Sequence, residues 1–217
     1  WYKWGRHIEF YSNFKKNKMK EKLILFFTGW GMDENSVKLK QDSYDLITVF
    51  NYRNINTDFL EKVKSYKEIY IIAWSMGVIF AGYFMDKIKN VKESIAINGT
   101  LKIIDDKFGI NTKIFDATLK NLNKNTINDF FNNMGYSDFI PPKRDFDNQL
   151  EELKFIKDFY FKNNFNANFD KIIIGKKDII IPFKNQKRYW ENNNTVILDS
   201  GHYIFNLFNS WEDIINV

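Results

Sequence analysis

The stretch Glu68 to Met85, EIYIIAWSMGVIFAGYFM, decides how this chain reads. Its first half, Ile69 to Ala73, is a short apolar run of the kind a parallel strand buried on both faces uses. Its second half, Val78 to Met85, is too apolar all round for a surface helix. Ser75 sits at the junction, with the small residues Ala73 and Gly77 two positions either side. A strand that turns sharply into a helix needs small residues there, and the turn holds the serine Oγ clear of the backbone. The pattern is AxSxG. A serine after a strand also serves as a helix N-cap, so the motif needs partners elsewhere in the chain.

Working outward, Leu23 to Thr28 and Leu46 to Tyr52 read as further apolar strands, and Asp58 to Tyr66 as a short helix leading into the Ser75 strand. Ser94 to Asn98 follows the apolar helix and ends at Gly99. Upstream, His7 to Phe14 alternates as an edge strand, which makes His7 an exposed edge residue rather than a catalytic one, and Lys15 to Lys20 is a polar turn. Alternating strands and helices argue a mostly parallel sheet covered on both faces, with the active site beyond the carboxyl ends of the strands. Gly29-Trp30-Gly31 lies on that rim. Its glycines let the backbone bend so that an amide N–H points into a cleft, as an oxyanion hole requires.

From Leu101 to Asn168 the strand pattern gives way to helical spacing. Candidate helices are Lys113 to Leu122, Thr126 to Met134 (with Thr126 and Asp129 as a capping pair) and Asn148 to Phe161, broken by Gly135 and Pro141-Pro142. This insertion, residues 101–168, reads as a helical lid on a single domain spanning 1–217. Its phenylalanines, Phe115, Phe130, Phe131, Phe139, Phe155 and Phe159, build the lid's own core and line an acyl pocket. Lys171 to Gly175 resumes the sheet, Phe183 to Glu191 is a helix, Thr195 to Leu198 is the last strand, and a closing helix runs from about Tyr203 to Ile215.

Asp178 and His202 each fall just past a strand's carboxyl end, on the rim that carries Ser75. Acyl transfer needs this set: a base to take the serine proton and a carboxylate to orient the base. Asp199 is a rival acid by its nearness to His202, but strand alternation leaves its direction open, and Asp178 is favoured. Asp105 and Asp106 follow an earlier strand and rank lower.

Composition narrows the alternatives. The chain has 217 residues, 44% of them hydrophobic, enough for one well-filled domain. It has no cysteine and two histidines, which excludes disulfides and thiolate metal sites, and no HExxH or Asp-rich loop is present. No metal or cofactor is expected. The net charge of +5 lies within residues 1–22, where seven Lys/Arg face two Glu, while the remaining 195 residues balance at 25 basic and 25 acidic. That run reads as a solvated turn rather than a nucleic-acid surface. No stretch approaches the roughly 18 apolar residues of a membrane span, and none reads as a signal peptide. A cytoplasmic monomer, bound to neither nucleic acid nor membrane, is the expectation. The chain begins at Trp1 rather than Met, so no function is attached to residues 1–6.

The order Ser, Asp, His, with an elbow and a helical insertion before the acid, resembles the α/β-hydrolase fold over nearly the whole chain. More narrowly, LILFFTGWGMD, AWSMG, GKKDIIIP and SGHYIF together resemble the BioG-type pimeloyl-[acyl-carrier protein] methyl ester esterases of biotin synthesis. The GWG and WSMG segments also resemble the BioH esterases. The resemblance implies Ser75 as nucleophile, His202 as general base and Asp178 as its orienting carboxylate. It implies the backbone N–H groups of Trp30 and Met76 as oxyanion donors, and Phe130 as a lid aromatic on the acyl chain. Ala73 departs from the family's first Gly, a small-for-small change. An acidic acyl-carrier protein is the implied partner, and Lys120, Lys124, Lys143, Arg144, Lys154 and Lys157 are candidates for its docking face, although residues 101–168 carry ten basic and ten acidic side chains. A general short-chain carboxylesterase or thioesterase, and a non-catalytic binding protein of this fold, are the alternatives.

Overall fold

The computed structural model describes residues 10–12, 20–53, 57–135 and 139–217. Seven strands form one sheet: β1 (Phe10–Ser12), β2 (Lys22–Phe27), β3 (Asp45–Val49), β4 (Glu68–Trp74), β5 (Val91–Ile97), β6 (Lys171–Gly175) and β7 (Thr195–Leu198). Their order is β1-β3-β2-β4-β5-β6-β7, and only β1 runs antiparallel to its neighbour. The helices are α1 (Asp58–Val63), α2 (Gly77–Phe84), α3 (Thr112–Asn121), α4 (Thr126–Asn132), α5 (Phe146–Lys162), α6 (Phe183–Tyr189) and α7 (Trp211–Asn216). These features make a mostly parallel α/β sheet flanked by helices.

The apolar runs of β2 and β4 are buried throughout, with Leu23 to Phe27 and Ile69 to Trp74 showing almost no exposed surface apart from a sliver of Tyr70. Neighbouring side chains on a strand leave opposite faces, and both faces are covered. The Phe26 ring lies 4.8 Å from Trp211 of α7, whereas Phe27 lies 5.8 Å from Phe59 of α1 and 6.4 Å from Phe84 of α2. Each such buried side chain contributes about 2 kcal/mol from apolar burial. Helix α2 is buried on every side except at Tyr83 because α5 packs across its far side: Phe159 stacks on Phe80 at 4.9 Å and meets Tyr83 at 5.0 Å.

Several expected boundaries shift. The strand expected to reach Tyr52 ends at Val49, where Asn51 takes a positive φ of 58° and turns the chain. Thr126 does not cap α4. Its Oγ1 instead accepts from the Asn123 backbone N–H at 2.9 Å, and Asn125 holds the N-cap position without a side-chain bond. The single closing helix is a 3-10 turn at Phe205–Leu207 followed by α7, because Ser210 and Asp213 form a capping box that starts a new helix. His7, and most of the expected edge strand around it, lie outside the described residues. No helix among those described is long and apolar enough to cross a membrane.

Candidate active site

The sheet register brings four strand ends level. Phe27 pairs with Ala73, Ala73 with Ala96, and Ile97 with Ile173, so the residues that follow β2, β4, β5 and β6 share one rim. Ser75 follows β4 with φ +58°, the left-handed conformation that a non-glycine residue adopts only where the surroundings impose it. Gly77 explains the imposition. A Cβ there would lie 2.4 Å from the carbonyl oxygens of both Phe27 and Thr28, so the first turn of α2 closes onto the end of β2 only with glycine. Ser75 N–H donates to the Ile97 carbonyl at 2.9 Å, which ties the turn to β5.

Across the rim, His202 Nε2 lies 2.9 Å from Ser75 Oγ, and His202 Nδ1 lies 2.8 Å from Asp178 Oδ2. All three side chains are buried. Asp178 accepts four hydrogen bonds: from Ile180 and Ile181 N–H to Oδ1 at 2.9 and 3.0 Å, and from Gln186 Nε2 and His202 Nδ1 to Oδ2, both at 2.8 Å. An acceptor at Oδ2 fixes the histidine tautomer, with the proton on Nδ1 and the Nε2 lone pair facing the serine hydroxyl. The arrangement can withdraw a proton from Oγ and store it on the imidazole.

Backbone contacts orient the histidine as well. Its carbonyl accepts from Asn98 Nδ2 at 2.8 Å and Trp74 Nε1 at 3.1 Å, while Asn98 Oδ1 accepts from Gly175 N–H at 2.7 Å. Asn98 therefore links the ends of β5 and β6 to the His202 loop. Asp199 points elsewhere: it is paired with Lys176 at 3.0 Å and Lys177 at 3.1 Å at the surface, and hydrogen bonds from these lysines hold its carboxyl below the usual range. Asp105 and Asp106 accept backbone N–H bonds within their own turn and its neighbour.

The loop after β2 passes against the serine. A Cβ on Gly29 would lie 3.6 Å from Ser75 Oγ, which places the Gly29 backbone, one residue before Trp30, beside the reacting oxygen. Phe130 of α4 packs edge-on against Trp30 at 4.8 Å. The contacts continue through Phe131 at 5.7 Å, Phe139 at 5.8 Å and Tyr203 at 5.1 Å. This aromatic row runs from the Gly29–Gly31 loop to the residue after His202. Phe115 and Phe159 belong to the buried core, as does Phe131, and Phe155 of α5 is partly buried against it. Among the described residues, no group of three or more His, Cys, Asp or Glu is placed to hold a metal ion.

The expected docking face loses one member, Arg144, and a second, Lys157, is paired at the surface. Arg144 is buried in a 2.7 Å ion pair with Glu152, and Lys157 pairs with Asp116 at 2.8 Å. Lys120, Lys124, Lys143 and Lys154 are exposed. Asn98, Gln149, Glu152 and Gln186 are site neighbours that the sequence motifs do not point to. The buried strand end before Gly99 was the available signal for Asn98, and the three helical residues carried none.

Comparison with known proteins agrees with this geometry. The family described as "Pimeloyl-ACP methyl esterase BioG" matches residues 11–214. The chain is 38% identical over 199 residues to a Bacteroides fragilis protein named malonyl-[acyl-carrier protein] O-methyltransferase, covering 85% of this chain and 40% of that protein's length. The crystal structure of BioG from Haemophilus influenzae superposes with a TM-score of 0.83 at 31% identity, covering 89% of this chain and 94% of that one. A putative aryl esterase from Burkholderia cenocepacia shares the fold at a TM-score of 0.59 and 13% identity, over 89% of this chain and 86% of its own. With an α/β-hydrolase sheet, a Ser-His-Asp row at its rim and a family match over nearly all its length, this chain belongs to the BioG family.

Proposed function

We propose that this chain is a serine esterase that hydrolyses the methyl ester of pimeloyl-[acyl-carrier protein] in biotin synthesis, releasing methanol. The observation that carries the proposal is the continuous Asp178–His202–Ser75 hydrogen-bond row in a member of the BioG family. His202 Nε2 takes the Oγ proton as Ser75 attacks the ester carbonyl. The tetrahedral oxyanion is held by the N–H groups of Trp30 and Met76, each worth on the order of 10²–10³ in rate. His202 then protonates the departing methoxide, methanol leaves, and a water deprotonated by His202 attacks the acyl-serine to regenerate Ser75. The reaction consumes only water.

The aromatic row from Trp30 through Phe130 to Tyr203 supports an apolar acyl path beside the serine, and residues 101–168 act as its lid. The carrier protein stays outside, against exposed lid lysines such as Lys120 and Lys154. A monomer in the cytoplasm completes the reading. The methyltransferase name belongs to a protein of which this chain spans 40%.

Hydrolysis of the carrier-bound methyl ester, compared with short aryl and thioesters, tests the substrate assignment. A kcat/KM at least about a hundredfold higher for the carrier-bound ester, a difference of about 3 kcal/mol in transition-state binding, is expected. Equal rates on all three would make the protein a general carboxylesterase or thioesterase instead.

A further inference from the structure

The Gly29–Met32 loop is held by hydrogen bonds from α5 and from Arg144 just before it. Trp30 Nε1 donates to the Gln149 carbonyl at 2.7 Å. Gln149 Nε2 donates to the Gly31 carbonyl at 3.0 Å. Gly31 N–H donates to Glu152 Oε2 at 3.0 Å, and Arg144 Nη1 donates to the Met32 carbonyl at 2.9 Å. Glu152 Oε1 accepts from Tyr52 N–H at 2.8 Å, so one carboxylate also grips the loop after β3. Gln149 and Glu152 are one helical turn apart and both are buried, Glu152 completely.

A buried carboxylate is costly to desolvate and persists where its charge is compensated and its lone pairs are filled. Arg144 supplies the charge, and two backbone N–H groups fill lone pairs. The bonds converge on one target. They fix the Trp30 side chain, both polar groups of Gly31 and the Met32 carbonyl, while the Trp30 N–H donates to no protein group among the described residues. Gly31 sits at φ +76°, a conformation that releases easily to others in the absence of such bonds.

We propose that Gln149 and Glu152 of α5, with Arg144, are positioning residues that aim the Trp30 amide at the developing oxyanion. This rests on the serine-esterase reading above. It makes the lid helix part of the catalytic geometry: α5 sets one half of the oxyanion hole as well as covering the core.

The test is Gln149→Met, which removes the bond to the Gly31 carbonyl and retains the packing and the Trp30 bond to the residue-149 backbone. Glu152→Gln is the second variant. Rates are measured on a short p-nitrophenyl ester and on the carrier-bound methyl ester, with Ser75→Ala in parallel. Affinity for a trifluoromethyl ketone, which forms an oxyanion on Ser75, is measured alongside. For Gln149→Met, kcat falls about 10- to 100-fold, as for a misaimed oxyanion donor, KM moves less than about threefold, and ketone affinity falls in step with kcat. Unchanged kcat and ketone affinity in the folded variant, with only a lowered melting temperature, would reduce these residues to a staple and overturn the proposal while Ser75→Ala stays inactive. Activity in Ser75→Ala equal to the wild type would remove the esterase reading, and this inference with it.

Discussion

Asp178→Asn replaces one carboxylate oxygen by an amide NH2, and the surroundings dictate which one. Ile180 and Ile181 N–H both donate at Oδ1, so the amide oxygen takes that position and the NH2 takes that of Oδ2. The new donor then faces His202 Nδ1, 2.8 Å away in the wild type, and forces that nitrogen to accept. The imidazole proton moves to Nε2 and points at Ser75 Oγ, where a lone pair is needed. The NH2 also meets Gln186 Nε2, another donor, and a Gln186 amide flip to relieve the clash would take its 2.7 Å bond from the Ile181 carbonyl. One buried group is left unpaired either way, which lowers stability by about 1–3 kcal/mol. The wrong tautomer lowers kcat by about 10⁴-fold, or about 5 kcal/mol in the barrier. Steady-state kinetics on the carrier-bound methyl ester, with thermal unfolding to confirm the variant is folded, reads both effects. A folded Asp178→Asn protein with kcat within tenfold of the wild type would refute the orienting role of Asp178.

Three further outcomes follow from the same contacts. Asp199→Ala breaks surface pairs only and leaves esterase kinetics unchanged; a loss of a hundredfold or more in kcat would make it the working acid after all. Asn98→Ala orphans the Gly175 N–H and weakens the hold on the His202 loop, so denaturant unfolding is expected to show a loss of about 3 kcal/mol, with kcat down about tenfold or more. At alkaline pH, burial raises the hydroxyls of Tyr70 and Tyr160 to about 12, and that of Tyr52 well upward. Above an unfolded value near 10 the unfolded chain loses these protons while the native one keeps them, so stability falls as pH rises from 10 towards 12. Melting temperature and the 295 nm tyrosinate signal against pH check this: ionisation of these tyrosines well before unfolding would contradict it.

The sequence displays those parts of the molecule whose physics is local. Apolar runs such as Ile69 to Ala73 announce strands covered on both faces, and small residues flanking Ser75 announce a turn that nothing larger fits. The loops that carry Asp178 and His202 follow strands with equally plain patterns. Gln149, Glu152 and Gln186 are of another kind. Each lies within a helical stretch where a polar residue ordinarily faces water, and what buries Gln149 and Glu152 is a loop more than a hundred positions away. Helical spacing tells which face turns inward, not which backbone group waits there. The same limit misplaced Arg144 on a docking surface, since its partner Glu152 shows only when α5 is seated on the core. The closing helix departs from expectation for a local reason: Ser210 to Asp213 carries a capping signal that divides the segment.

Methanol release from pimeloyl-carrier-protein methyl ester by the wild type and by Ser75→Ala tests the central claim most directly. The account predicts release by the wild type and none above background by the variant. Release by both proteins at equal rates would contradict it, because the chemistry would then be done by something other than Ser75.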